Sequence, residues 1–394
     1  MSRPTATYAT LDNWIAREAT PFSVDAPTTF NAAVDKVIAS LGDAVELLGF
    51  GEALHGGEDI LILRNRLFQR LVEAHGYSAI ALESSFPRAR VVNAYAAGRG
   101  PASYEAVQDT GFGHGFGRLD ANRDLVEWMR WYNANRSHRV TLQFYGFDMP
   151  GVTAGPASPR QILHFVLDYL ASIDSASAHE HRQRIDPLLG QDSKWENPMA
   201  WRDPVKSPDL LSAATALRIE TEDLITELRT RRPELVAKSD EGRYVEAVQY
   251  AAVARELLNF YAALAGTSWV AGSLGVRDAL MADNLAYIVA RERGRGKVLA
   301  FAHNSHLQRG KAQMNAGTDV YTWWPAGSHL GEMFGPRYAV IGSAVGVSEA
   351  NGIGRPEAGT LEARLTAVPG PARFIPTHKG HGLPTSVIAA LPIR

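Results

Sequence analysis

An apolar run, Ala44-Val45-Glu46-Leu47-Leu48-Gly49-Phe50, leads directly into Gly51-Glu52-Ala53-Leu54-His55-Gly56-Gly57-Glu58, and a helical periodicity follows from Ile60 to His75. A short run this apolar reads as a strand buried on both faces, which is the signature of a parallel sheet. A strand, a glycine-rich turn and a helix in succession make half of a βαβ unit, so the chain is constrained to an α/β layer fold. In such folds the turn after a strand lies at the carboxyl edge of the sheet, where ligands bind. Here that turn carries a carboxylate and an imidazole three residues apart, Glu52 and His55.

The pattern recurs. Tyr77 to Leu82 reads as a second strand ending at Glu83-Ser84-Ser85, Val140 to Tyr145 as a third ending at Gly146-Phe147-Asp148, and Lys297 to Ala302 as a fourth ending at His303-Asn304-Ser305-His306. A strand over 338–345 extends the sheet. Helices are expected over 11–17, 32–41, 87–97 and 121–135, with Asp120 as N-cap of the last. From 156 to 290 no strand is convincing. Four amphipathic helices, 160–173, 210–231, 241–265 and 276–291, occupy it, with a polar loop over 190–208. The expected architecture is α/β: a mostly parallel central sheet flanked by helices, with a helical insertion covering the carboxyl edge of the strands. The expected divisions are 1–155 and 273–394 for the two halves of the α/β core and 156–272 for the insertion.

Composition removes several functions. With 40 basic against 42 acidic residues there is no global field for nucleic acid. The absence of cysteine rules out disulfides, thiolate metal sites and a cysteine nucleophile. No apolar run approaches the roughly 20 residues of a membrane span, and Met1 to Thr7 lacks the apolar stretch of a signal peptide. The default is a soluble cytoplasmic protein with a small-molecule substrate.

Four strand ends deliver ionisable groups to one edge: Glu52 and His55, Glu83, Asp148, and His303 with His306. Core packing does not require this, so a shared site is expected. Arg64 falls on the apolar stripe of the helix at 60–75, and a buried guanidinium needs a partner; Glu52 and Glu83 are the candidates. Arg277 and Asp278 open the helix at 276–291. Gly-x-Ser-x-Gly, His-Glu-x-x-His, the P-loop and Gly-x-Gly-x-x-Gly after a strand are all absent. The remaining His, Glu and Arg suit general-base activation of water with an oxyanion stabilised by Arg or His. They also partly suit a metal site.

These residues resemble the erythromycin esterase family. The pieces are Gly51-Glu52-Ala53-Leu54-His55-Gly56 with Glu58 and Arg64, Ala81-Leu82-Glu83, Asn93 to Gly98, Trp128 to Asn133, Tyr145 to Asp148, Arg277 to Asn284, and Ala302 to His306, in family order. The resemblance implies opening of a macrolide lactone by water activated on a histidine, with no cofactor and no required metal. The family's base matches His55; its supporting residues match Glu52, Arg64, Glu83, His303 and His306. Arg277, Asp148, Glu58, His114 and Trp195 are candidates for holding substrate. Trp195, Trp201, Trp323 and Trp324 suit a lid over a large, largely apolar molecule. Alternatives on the same residues are a biosynthetic cyclisation, acyl transfer or elimination, a metal-dependent hydrolase, and a silent binding protein.

Overall fold

In the computed structural model, residues 11–152, 155–197, 208–264 and 269–376 are described. Trp201 and the segment 377–381 lie outside them.

Five parallel strands form the central sheet: β1 (Leu47–Glu52), β2 (Tyr77–Ser85), β3 (Gln143–Asp148), β4 (Lys297–His303) and β5 (Tyr338–Ile341). Their order is β5-β1-β4-β2-β3. Strand β4, from the distant C-terminal half, thus lies between β1 and β2, and the strand ends that carry the polar groups are neighbours.

Successive side chains alternate across the sheet. Leu48, Phe50, Ile80, Leu82, Phe144, Leu299 and Phe301 face α1 (Pro27–Leu41), α2 (Glu58–His75) and α3 (Asp120–Ala134). Leu47, Ala79, Ala81, Val298, Ala300 and Ala302 face the long helix α8 (Trp269–Glu292) and the helix Ala326–Phe334. The alanines on this second face leave room for close helix approach. Each fully buried leucine or phenylalanine contributes about 1.5–3 kcal/mol. Helix α2 stops at Gly76, whose left-handed backbone (φ 73°) lets its N–H bond Leu71 O.

The segment between β3 and α8 is helical, as expected: α4 (Arg160–Ala171), α5 (Ser175–Leu189), α6 (Pro208–Thr230) and α7 (Glu241–Ala263). It has its own apolar cluster, which reaches the sheet through Phe86 and Met149, just past the ends of β2 and β3. Helix α5 went unassigned in the sequence because Pro187 and its polar face blur the period; Asp174 caps it by accepting from Ser177 N.

Several boundaries differ from expectation, and α8 begins at Trp269 instead of 276, so Arg277 and Asp278 lie in its third turn and do not open it. Strand β3 sits three residues later, at Gln143–Asp148, so Asp148 belongs to the strand itself. Strand β5 is shorter than 338–345. Strand β2 continues through Ser85 with a bulge: Leu82 pairs with Gly146, but Ser85 pairs with Asp148. A bulge re-aims side chains, and it requires Gly146, where a Cβ would lie 2.5 and 2.6 Å from the carbonyl oxygens of Ser84 and Ser85.

Candidate active site

The sheet register brings the candidate groups together: Glu52 pairs with His303 across β1 and β4, and Ser85 pairs with Asp148 across β2 and β3. His55 Nδ1 donates to Glu52 Oε1 at 2.6 Å. A carboxylate on Nδ1 fixes the tautomer and leaves Nε2 bare, facing Glu83 Oε1 at 3.9 Å. Burial lowers the proton affinity of His55, but the Glu52 hydrogen bond and the charges of Glu83 and Glu52 outweigh it, and its pKa lies above the ordinary 6.5. Glu52 therefore orients His55, and Glu83 faces the other nitrogen.

Glu83 anchors the centre. Oε1 accepts from Arg277 Nη2 at 2.9 Å, Oε2 accepts from the His303 backbone N–H at 2.9 Å, and His306 Nε2 lies 3.4 Å away. Burial alone would raise its pKa; His306, Arg277 and His55 drive it well below the usual carboxylate range. Arg277 also grips Asp148 through Nε and Nη2, both at 2.7 Å. Burial disfavours the charged guanidinium, but Asp148 and Glu83 more than restore it; Asp148 is likewise held ionised, its burial outweighed by Arg277 and His114.

The two histidines after β4 differ. His303 Nε2 donates to Ala53 O at 3.1 Å, and Nδ1 accepts from Ser305 N and Ser305 Oγ. Nε2 locks the β1 turn to the β4 turn, Nδ1 caps the short helix Asn304–Leu307, and burial and the nearby His55 lower the pKa of the ring. His306 Nδ1 donates to Asp278 Oδ1 at 2.8 Å. Burial opposes its charge, but Glu83 and Asp278 raise its pKa to about 10. Asp278 itself is fully buried and also accepts from Trp323 Nε1 and Ala326 N. Asp278 was not expected in the cluster; the signal that could have found it is that it shares the apolar stripe of Met281 and Leu285 at i+3 and i+7.

Other expected residues lie elsewhere. Arg64 is buried but makes no direct ion pair with Glu52 or Glu83; its Nε and Nη2 donate to Asn65 Oδ1, and its guanidinium lies 4.8 Å over the Phe301 ring. Burial lowers its pKa to about 9, against the pull of Glu52. It lines a cavity of about 20 Å³ with Glu52, Glu83 and Asn122. Glu58 accepts from the backbone N–H groups of Asp120 and Ala121, both at 3.0 Å, so it caps α3, and Asp120 is the first helical residue instead of the N-cap. Trp195 is 1% exposed, with its indole N–H on Leu189 O and its ring against Tyr261; it lies in the core of the insertion and cannot face a substrate. Trp323 is buried on Asp278, while Trp324 is exposed beside Lys311.

Glu83, His114 and Asp148 could each offer an atom to a cation, all within 4.8 Å of one another. Arg277 pairs with both carboxylates, at 2.9 Å from Glu83 and 2.7 Å from Asp148.

Comparison with known proteins agrees with the fold. Residues 72–391 match the model of the erythromycin esterase family. That span holds Glu83, Asp148, Arg277, His303 and His306; Glu52 and His55 precede it. An erythromycin esterase type II from Escherichia coli is 21% identical over 337 residues, covering 84% of this chain and 76% of that protein. An erythromycin esterase type I from Escherichia coli is 24% identical over 311 residues, covering 75% and 70%. A crystal structure of a Bacillus cereus protein superposes with a TM-score of 0.70 at 20% identity, over 91% of this chain and 83% of that one. With four-fifths of its length inside the family match and an α/β fold shared with a solved structure, this chain belongs to the erythromycin esterase family.

Proposed function

We propose that this chain hydrolyses a carboxylic ester with water activated by His55. The observation that carries the reading is the 2.6 Å Glu52–His55 contact, which leaves Nε2 free beside the buried ion pairs of Arg277 with Glu83 and Asp148. His55 Nε2 takes a proton from water as the oxygen attacks the ester carbonyl carbon. Glu52 holds the ring and stabilises the imidazolium that forms. Glu83, Arg277, Asp148 and His306 keep the far wall rigid. Collapse of the tetrahedral intermediate expels the alkoxide, which takes a proton back from His55. The two Escherichia coli relatives, both erythromycin esterases, point to a macrolactone as the substrate class.

The test is mass spectrometry of erythromycin incubated with the protein and with His55→Ala, both in chelator. The expected result is a gain of one water with the parent and none with the variant, whose turnover should fall by about 10²–10⁴. Loss of parent activity in chelator would favour the Glu83–His114–Asp148 group as a metal site. Turnover of simple esters but not erythromycin would move the substrate to another ester, and a protein that cleaves no ester would sink the reading.

A further inference from the structure

The esterase reading leaves the oxyanion without a partner. His303 has both ring nitrogens engaged by the backbone and Ser305. His306 is held between Asp278 and Glu83. Arg277 has Nε and Nη2 on carboxylates and Nη1 beside His306. Arg64 is sealed beneath the site. Among the described side chains facing His55, one further imidazole is not tightly held: His114, in the loop between the helix Glu105–Gly111 and Phe116.

His114 is the single non-glycine residue with positive φ among the described residues, at 55°. A left-handed backbone is costly for a residue with a Cβ, and it persists where the surroundings impose it. They do so here. Gly113 N donates to Ser84 Oγ at 2.7 Å, next to Glu83. Gly115 follows in the same left-handed region, φ 73°. Gly117 is packed so closely that a Cβ would lie 1.9 Å from Gln108 O. Asn122 Nδ2 donates to Phe116 O at 2.8 Å. The loop is pinned on both sides of a strained residue, and it presents that residue's ring to the cleft. The side chain of His114 is 44% exposed, with its ring nearly parallel to that of His55 at 6.3 Å between centroids. Its Nε2 lies 3.5 Å from Asp148 Oδ2, a long contact beside an acceptor that Arg277 already satisfies.

We infer that His114 is a further catalytic residue, the oxyanion donor of this esterase. It donates from Nε2 to the ester carbonyl oxygen as water, deprotonated by His55, attacks the carbon. The C=O π pair moves to that oxygen, the His114 N–H holds the developing charge, and the pair returns as the C–O bond to the alkoxide breaks. Rings 6.3 Å apart can both reach one carbonyl group: the base through the attacking water, the donor directly. Asp148 steadies the imidazole and releases it toward substrate; such contacts are often long before substrate binds.

The inference rests on the esterase reading, and the experiment separates the two. Parent, His55→Ala, His114→Gly and His114→Gln are assayed on a p-nitrophenyl ester and on an alkyl ester, with melting temperatures recorded. Glycine removes the ring and tolerates the left-handed backbone. His114→Gly should therefore melt no lower than the parent while kcat falls about 10²–10³-fold, with little change in KM. The loss should be equal for both esters, since an oxyanion donor acts whatever the leaving group. His114→Gln, which keeps an N–H, should recover part of kcat. An active parent with His114→Gly within about twofold of it overturns the inference alone. A loss confined to the alkyl ester overturns it in favour of protonation of the leaving group, and a loss matched by a lower melting temperature in favour of a structural role. A parent inert on both esters overturns the esterase reading and this one with it.

Discussion

His55 lies between two carboxylates that act on it differently. Glu52, three residues back in the same turn, bonds Nδ1 and sets the tautomer. Glu83, from β2, lies 3.9 Å from Nε2 and acts through space. Both raise the pKa of a ring that burial would otherwise lower. Replacing Glu52 by glutamine removes the hydrogen bond to a charged acceptor and one of the two charges. The His55 pKa should then fall, the acidic limb of the kcat/KM profile should move to lower pH, and kcat should drop as the tautomer loosens. A pH–rate profile on any cleaved ester checks this. An unmoved limb with unchanged kcat would show that Glu52 does not orient the base. The sequence put both residues in one short turn but left open whether Glu52 or Glu83 bonds the ring; the fold decides for Glu52. Arg64 was misread for a local reason. Its stripe placed it in the core, but only the packing shows that Asn65 and the Phe301 ring meet it there in place of a carboxylate.

Elements explain the residues that changed role. Glu58 opens α2 in sequence, but its carboxylate ends at the start of α3, sixty residues on, where the unpaired N–H groups and the helix dipole attract an anion. Glu58→Ala should cost about 0.5–2 kcal/mol of stability, as other lost caps do, without raising KM. Denaturant melts and steady-state kinetics would test it. A large rise in KM at unchanged stability would restore the substrate-binding role expected from the sequence. Strand β2 shows the converse case: its bulge is invisible as a period, yet Gly146 on the neighbouring strand is the residue that makes room for it.

At the scale of the whole molecule, the central charges belong to no single element. Glu83, Asp148, Asp278, Arg277 and His306 come from β2, β3, α8 and the turn after β4. His306 is raised from the ordinary 6.5 to about 10 in the folded protein. Its stabilisation is thus fully present below pH 6.5 and lost as pH rises through 10. The melting temperature of the parent should fall more steeply between those limits than that of His306→Gln. Parallel curves would mean that the folded protein does not hold this proton. No helix among the described residues is long and apolar enough to cross a membrane.

Local order was readable without the fold. Short apolar runs, turns rich in glycine and helical stripes specify a parallel α/β sheet, and they put Glu52, His55, Glu83, His303 and His306 at strand ends, because backbone hydrogen bonding and side-chain alternation repeat over a few residues. What each group does was decided only by tertiary structure. Strand order sets β4 between β1 and β2, and hydrogen-bond partners from distant segments then make His303 a neutral lock, His306 a cation, Glu58 a cap and Trp195 a core residue. Protonation and role depend on burial and on neighbours brought together through space, and sequence separation carries no record of either.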